Sequence, residues 1–127
     1  MFSHIMIGTN DIDRAKTFYD ATLGAIGMPS GSIDGGRRVF YRSPTASFCV
    51  TKPIDGQPAT IANGGTVGFA CKSREQVHAW HEAGLANGGA AIEDPPGERG
   101  ASKLYLAYLR DPDGNKLCAL YRITDAT

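Results

Sequence analysis

The chain has no surplus of either charge. Thirteen lysines and arginines stand against thirteen aspartates and glutamates, a formal net charge of zero over 127 residues. No Lys/Arg run breaks that balance, which argues against a nucleic-acid surface or an acidic-membrane surface. Cysteine is scarce and odd in number: Cys49, Cys71 and Cys118, with no CxxC pair. That count argues against a disulfide framework. Long hydrophobic runs are missing, and the opening MFSHIMIGTND has no basic leader, so the expected protein is soluble and cytoplasmic. No GxGxxG or P-loop pattern occurs among the glycines, so nucleotide binding through those motifs is not expected.

What remains is an ordinary core-forming composition. Residues of hydrophobic type make up 42% of the sequence, and one domain is the expectation for this length. Sixteen glycines and seven prolines then imply many turns rather than disorder.

Read in order, Phe2 to Gly8 has strand alternation, with Ile5 and Ile7 on one face and His4 and Met6 on the other. Asn10-Asp11 can cap a helix whose apolar residues Ile12, Ala15, Phe18, Tyr19 and Leu23 recur at helical spacing, with Gly24 as its end. Ala25 to Ser32 is weakly patterned. Arg37 to Arg42 and Ser47 to Thr51 are strands around a Ser43-Pro44-Thr45 turn, and Pro53 to Gly65 reads as a linker. The second half restarts the pattern. Thr66 to Cys71 is a strand, and Ser73-Arg74-Glu75-Gln76 is a capping box opening a helix through Val77, Trp80, His81 and Leu85. Ala90 to Glu93 is a short strand, and Asp94 to Ser102 is a polar loop. Lys103 to Arg110 is a strand, Asp111-Pro112-Asp113-Gly114 a tight turn, and Leu117 to Tyr121 the last strand.

The halves repeat. A shift of 62 places His4 on Thr66, Ile5 on Val67, Phe18 on Trp80 and Asp20 on Glu82. Further along, Arg42-Ser43-Pro44 falls on Arg110-Asp111-Pro112, and Phe48-Cys49 on Leu117-Cys118. Each half therefore reads strand, helix, strand, strand, strand. The expected fold is α+β: two βαβββ modules forming a cupped mixed sheet, with helices on the outer side. Module one spans about 1–52, the linker 53–64 and module two about 65–122. Cys71 shares parity with Val67 and Phe69, so it is expected under the helix. Trp80 is expected to anchor the second helix. His78 and His81, Asp20 and Glu82 are expected on exposed helix faces, while Glu93, Asp94 and Glu98 read as loop acids without a partner. Arg37, Arg38 and Arg99 are candidate anion contacts.

The order of elements, with HIMIGTNDIDRAKTFYDATLG at the start and DPDGNKLCALY at the end, resembles the glyoxalase/bleomycin-resistance/dioxygenase group, the vicinal oxygen chelate superfamily. The resemblance covers about Phe2 to Tyr121. It implies a homodimer and a cupped sheet around a small-molecule or metal site. In metal-using members the ligands sit on the inner face of the first and last strand of each module. Those positions match His4, Cys49, Thr66 and Cys118. One of the four is the family's usual ligand type; two carboxylates and an imidazole are replaced. Hard divalent ions favour carboxylates and imidazoles, so this set does not suit them.

Two readings of the site follow. His4, Cys49 and Cys118 are ligand types for Zn²⁺, shared between chains of a dimer where necessary. The other reading needs no metal: His4, Met6, Cys49, Thr66, Cys118 and Leu120 line a cup of modest polarity, with either Tyr105 or Tyr108 turned inward by strand parity. The expectation is thus a protein binding a small organic molecule, with lyase or isomerase chemistry in which His4 is base or ligand. The alternative is a drug- or metabolite-binding protein without turnover.

Overall fold

The structure, a computed structural model, describes residues 1–124. Its first half contains β1 (His4–Gly8), α1 (Ile12–Gly24), β2 (Ser32–Asp34), β3 (Arg38–Arg42) and β4 (Ser47–Thr51). The second contains β5 (Val67–Ala70), α2 (Arg74–Ala86), β6 (Ala90–Ala91), β7 (Gly97–Glu98), β8 (Leu104–Arg110) and β9 (Lys116–Arg122). The strands hydrogen-bond as two mixed sheets, ordered β1-β4-β3-β2 and β5-β9-β8-β6, with β7 also on β8. In each sheet the first strand runs parallel to the last, β1 to β4 and β5 to β9. The fold is α+β, built from two βαβββ modules. The repeat persists in the register: Met6 pairs with Cys49, and Gly68, its counterpart 62 residues on, pairs with Cys118.

Local chemistry explains both helices. The Asp11 carboxylate caps α1 by accepting from the Arg14 amide at 3.0 Å. The Ser73 hydroxyl caps α2 by accepting from the Gln76 amide at 3.1 Å, and Gln76 Oε1 reaches back to the Lys72 amide at 2.8 Å. Each helix then buries a helically spaced stripe: Ile12, Ala15, Phe18, Tyr19, Thr22 and Leu23 on α1, and Val77, Trp80 and Gly84 on α2. Gly84 lets the helices and the second sheet approach closely, because a Cβ there would stand 2.2 Å from Leu109 Cδ1 and 3.3 Å from the Phe18 ring.

The helix-side residues of both sheets join one core. Val39, Tyr41, Phe48 and Val50 come from the first sheet, and Ala107, Leu109, Leu117 and Ala119 from the second. Phe48 meets Phe69 edge to face at 5.1 Å across the seam between modules. Trp80 is fully buried in this core, as its match to Phe18 suggests, and Cys71 lies under the helix layer.

Several local expectations need correction. β2 and β7 form where the sequence reads as weakly patterned or looped; β2 is Ser-Ile-Asp, has no apolar alternation, and exists by pairing with β3. The strand expected at Ala90 to Glu93 is confined to Ala90–Ala91, because Glu93 takes a left-handed backbone (φ 58°). Asp20 is not a free helix charge: it accepts from Lys16 Nζ, the Tyr41 hydroxyl and the Gly31 amide. Glu93 pairs with Lys116 and Glu98 with Arg74, so neither is a partnerless loop acid.

Candidate binding faces

Because the helix sides of both sheets share a core, the opposite faces lie on the outside of it. Strand parity and register fix what those faces carry. On the first sheet three rows run across the strands. His4, Ser47 and Arg42 form the first; Met6, Cys49, Phe40 and Ser32 the second; Gly8, Thr51, Arg38 and Asp34 the third. On the second sheet Gly68, Cys118 and Tyr108 form one row, and Ala70, Leu120 and Leu106 the next.

The residues singled out in the sequence divide accordingly. His4, Met6 and Cys49 share the open face of the first sheet. Cys118, Leu120 and Tyr108 share that of the second, and Thr66 sits exposed just before β5. Tyr105 falls on the other side. It packs against the core, and its hydroxyl meets His78 Nε2 on α2 at 2.7 Å. The inward tyrosine is therefore Tyr108, and Tyr105 lies outside the candidate site. Arg99 ties its own loop together, donating to the carbonyls of Asp94, Pro95 and Gly97.

Electrostatics keep both thiols neutral. Burial pushes the Cys49 thiol up, against the guanidiniums of Arg38 and Arg42. Burial also raises Cys118, against the Tyr108 hydroxyl and the charge of Arg99. Tyr108 is raised by burial and by the neighbouring Cys118 sulfur. His4 Nδ1 is hydrogen-bonded to the Ser3 hydroxyl at 2.8 Å, which leaves Nε2 open.

This donor set does not fit the divalent ion of the family's metal-using members. Neutral thiols and a threonine hydroxyl replace two carboxylates and an imidazole. Among the described residues no three His, Cys, Asp or Glu side chains are grouped to hold a metal ion. His4, Cys49 and Cys118 are thus not brought together as a zinc site within one chain, because they stand on two sheets with different open faces.

Sequence reasoning missed Phe40 and Arg42. The available signal was the β3–β4 hairpin around Pro44: once Cys49 faces outward from the core, antiparallel pairing sets Phe40 opposite it and Arg42 opposite Ser47. A hollow of about 290 Å³ borders the first row, bounded by Phe2, His4, Thr45 and Ser47. An apolar cavity of about 350 Å³ lies at the module seam, between Leu23, Phe48 and Phe69. No helix among the described residues is long and apolar enough to cross a membrane.

Paired βαβββ modules, each exposing a sheet face opposite its helix, define a class of small α+β proteins that place their sites on those faces. The family model for the glyoxalase/bleomycin resistance protein/dioxygenase superfamily matches residues 1–119. A crystal structure of a glyoxalase/bleomycin resistance protein from Albidiferax ferrireducens is 59% identical with a TM-score of 0.93, covering 96% of this chain and 98% of that one. The chain belongs to this superfamily. Two more distant structures show the same fold. A glyoxalase/bleomycin resistance protein/dioxygenase family enzyme from Burkholderia phytofirmans is 17% identical (TM-score 0.74), covering 95% of this chain and 98% of that one. The lactoylglutathione lyase from Agrobacterium tumefaciens is 20% identical (TM-score 0.68), covering 95% of this chain and 92% of that one. No curated protein matches the chain significantly.

Proposed function

We propose that this protein binds a small organic molecule on its open sheet faces, in a cup completed by a second copy of the chain, without a resident metal and without metal-assisted turnover. The observation that carries this reading is the make-up of those faces. They offer Met6, Phe40, Tyr108 and Leu120 over the buried thiols of Cys49 and Cys118, an apolar and aromatic middle flanked on the first sheet by the polar rows His4–Ser47–Arg42 and Thr51–Arg38–Asp34. Ligand sites are built in that proportion. Metal-assisted lyase or isomerase chemistry of the family's kind needs a bound ion, and of the four matched positions only His4 keeps the usual ligand type, Cys49, Cys118 and Thr66 being neutral.

The second copy follows from the outward direction of the faces. One face alone is a surface; the first sheet of one chain against the second sheet of its partner makes a hollow. A two-fold axis then gives two such hollows per dimer. Phe2 and Met6, 64% and 41% exposed in the single chain, would be covered. The compartment expected for such a protein is the cytoplasm, where its three free thiols persist.

The test is a thermal-shift and calorimetric screen of aromatic and thioether compounds against metal-stripped protein, with light scattering for mass. Binding by a metal-free dimer is expected. Binding that appears only on adding Zn²⁺ or Mn²⁺, or a monomer that binds nothing, would contradict the proposal.

A further inference from the structure

The register of the first sheet assigns more than an apolar wall. We infer that its open face selects organic anions, with Arg42 receiving the carboxylate or phosphate and the row Met6–Cys49–Phe40 carrying the apolar body. This rests on the proposal that the open faces bind ligand, and it names the class of molecule they take.

The cations of the two faces differ in what already holds them. On the second sheet Lys116 is paired with Glu93, Arg110 donates to the Gly114 carbonyl at 2.8 Å, and Arg122 stands at the end of β9 beyond Leu120, away from the row of Cys118 and Tyr108. On the first sheet Arg38 stands in the same row as Asp34, which offsets its charge. Arg42 has no acid in its row. Its neighbours there are Ser47 and, one strand further, His4, and it makes no ion pair among the described residues. Adjacent strands are about 4.8 Å apart, so the three side chains span about 10 Å. That is within reach of one anion for a long arginine.

Arg42 is also held in place. Its guanidinium carbon lies 4.5 Å from the centroid of the Phe40 ring. Stacking uses the flat face of the guanidinium and leaves its in-plane N–H donors free for a bidentate oxyanion. The Ser47 hydroxyl stands beside it on the same row, with the His4 ring one strand further. Phe40 therefore serves twice, as a platform for the guanidinium and as the wall next to Cys49. The guanidinium's influence already reaches Cys49, whose thiol it works to lower against burial.

The probes are naphthoate and its neutral amide, naphthamide, titrated into metal-stripped protein by calorimetry. Naphthoate is expected to bind about tenfold or more tightly than the amide, since a charge-assisted contact is worth about that factor. Its affinity should fall as salt rises while the amide's does not. Arg42→Gln should remove the preference for the acid, and Arg42→Lys should restore part of it. Arg37→Gln should change nothing, because Arg37 borders the separate hollow of Thr9 and Lys52. Met6→Trp, at the exposed position of the middle row, should abolish binding of both probes while leaving the melting temperature near that of wild type. Equal binding of acid and amide, both lost in Met6→Trp, would overturn the anion inference and leave the binding face standing. Binding of both untouched by Met6→Trp, or of neither, would overturn the two readings together.

Discussion

Tyr19 and Asp111, 92 positions apart, meet at 2.5 Å, the tyrosine hydroxyl donating to a carboxylate that is 4% exposed. This bond joins the first helix to the last turn and so joins the two modules. The same carboxylate accepts from the amides of Asp113 and Asn115 and from Asn115 Nδ2. In the same turn, Asp113 accepts from the Thr9 hydroxyl, the Asn10 amide and Arg14. Asn115 Nδ2 also reaches the Gly8 carbonyl at 3.0 Å. The turn is shaped for this by Gly114, whose φ of 95° suits glycine.

Removing the hydroxyl in Tyr19→Phe should destabilise the protein by about 1.5 to 3 kcal/mol, the usual range for a hydrogen bond to a charged group. Urea unfolding at neutral pH measures it. Burial, then the Asp111 charge, raises the Tyr19 pKa well above the ordinary tyrosine value. A raised folded value means the stabilisation is complete below about pH 10 and fades as pH climbs toward the folded pKa. Wild type should therefore lose more stability than Tyr19→Phe between about pH 9 and about pH 11.

Asp20 gives the opposite pH dependence. Burial works to raise its pKa, but the Gly31 amide, Lys16 and the Tyr41 hydroxyl outweigh it and hold the carboxyl below its ordinary value. The stabilisation is present above the unfolded pKa of about 3.9 and is lost as pH falls through the folded value. Asp20→Asn should cost about 1 to 3 kcal/mol at neutral pH and flatten the acid limb of the stability curve. An unchanged acid limb would show that Asp20 is not the group responsible.

Trp80 is the largest fully buried side chain, and its indole Nε1 has no hydrogen-bond partner among the described residues. Trp80→Ala should cost about 3 to 5 kcal/mol through the cavity it leaves. The midpoint and slope of a denaturant curve read this directly.

The three thiols should be slow toward iodoacetamide. Cys49 and Cys118 are raised by burial, and Cys71 is pushed up to about 11. Alkylation followed by mass spectrometry at about pH 8, near the pKa of a free thiol, should leave the native protein largely unmodified and label all three after denaturation.

Much of this architecture was legible in the sequence because it is written in period and spacing. The stripe from Ile12 to Leu23, the Ser73 capping box and the Asp111–Gly114 turn each specify local geometry, and the repeat specifies how often it recurs. β2 was illegible because Ser32-Ile33-Asp34 owes its form to a neighbouring strand. The site was half legible. Parity placed His4 and Met6 on one face from the sequence alone, and the family resemblance added Cys49. Choosing between Tyr105 and Tyr108 required knowing that β8 turns Tyr105 toward His78. Recognising Arg42 required the β3–β4 register. Asp20 and Asp111 look alike as acids in the sequence; only the fold shows that each is a buried or half-buried anchor.

Ligand seated on the open sheet faces of a metal-free protein would perturb the backbone of the strands that form them. Amide-resolved NMR of metal-stripped protein during a naphthoate titration reads this residue by residue. Shifts concentrated at Met6, Phe40, Arg42 and Cys49 of the first sheet, and at Tyr108 and Cys118 of the second, are the expected result. Shifts confined to the outer helix surfaces, or a spectrum that responds only once a divalent ion is restored, would contradict it.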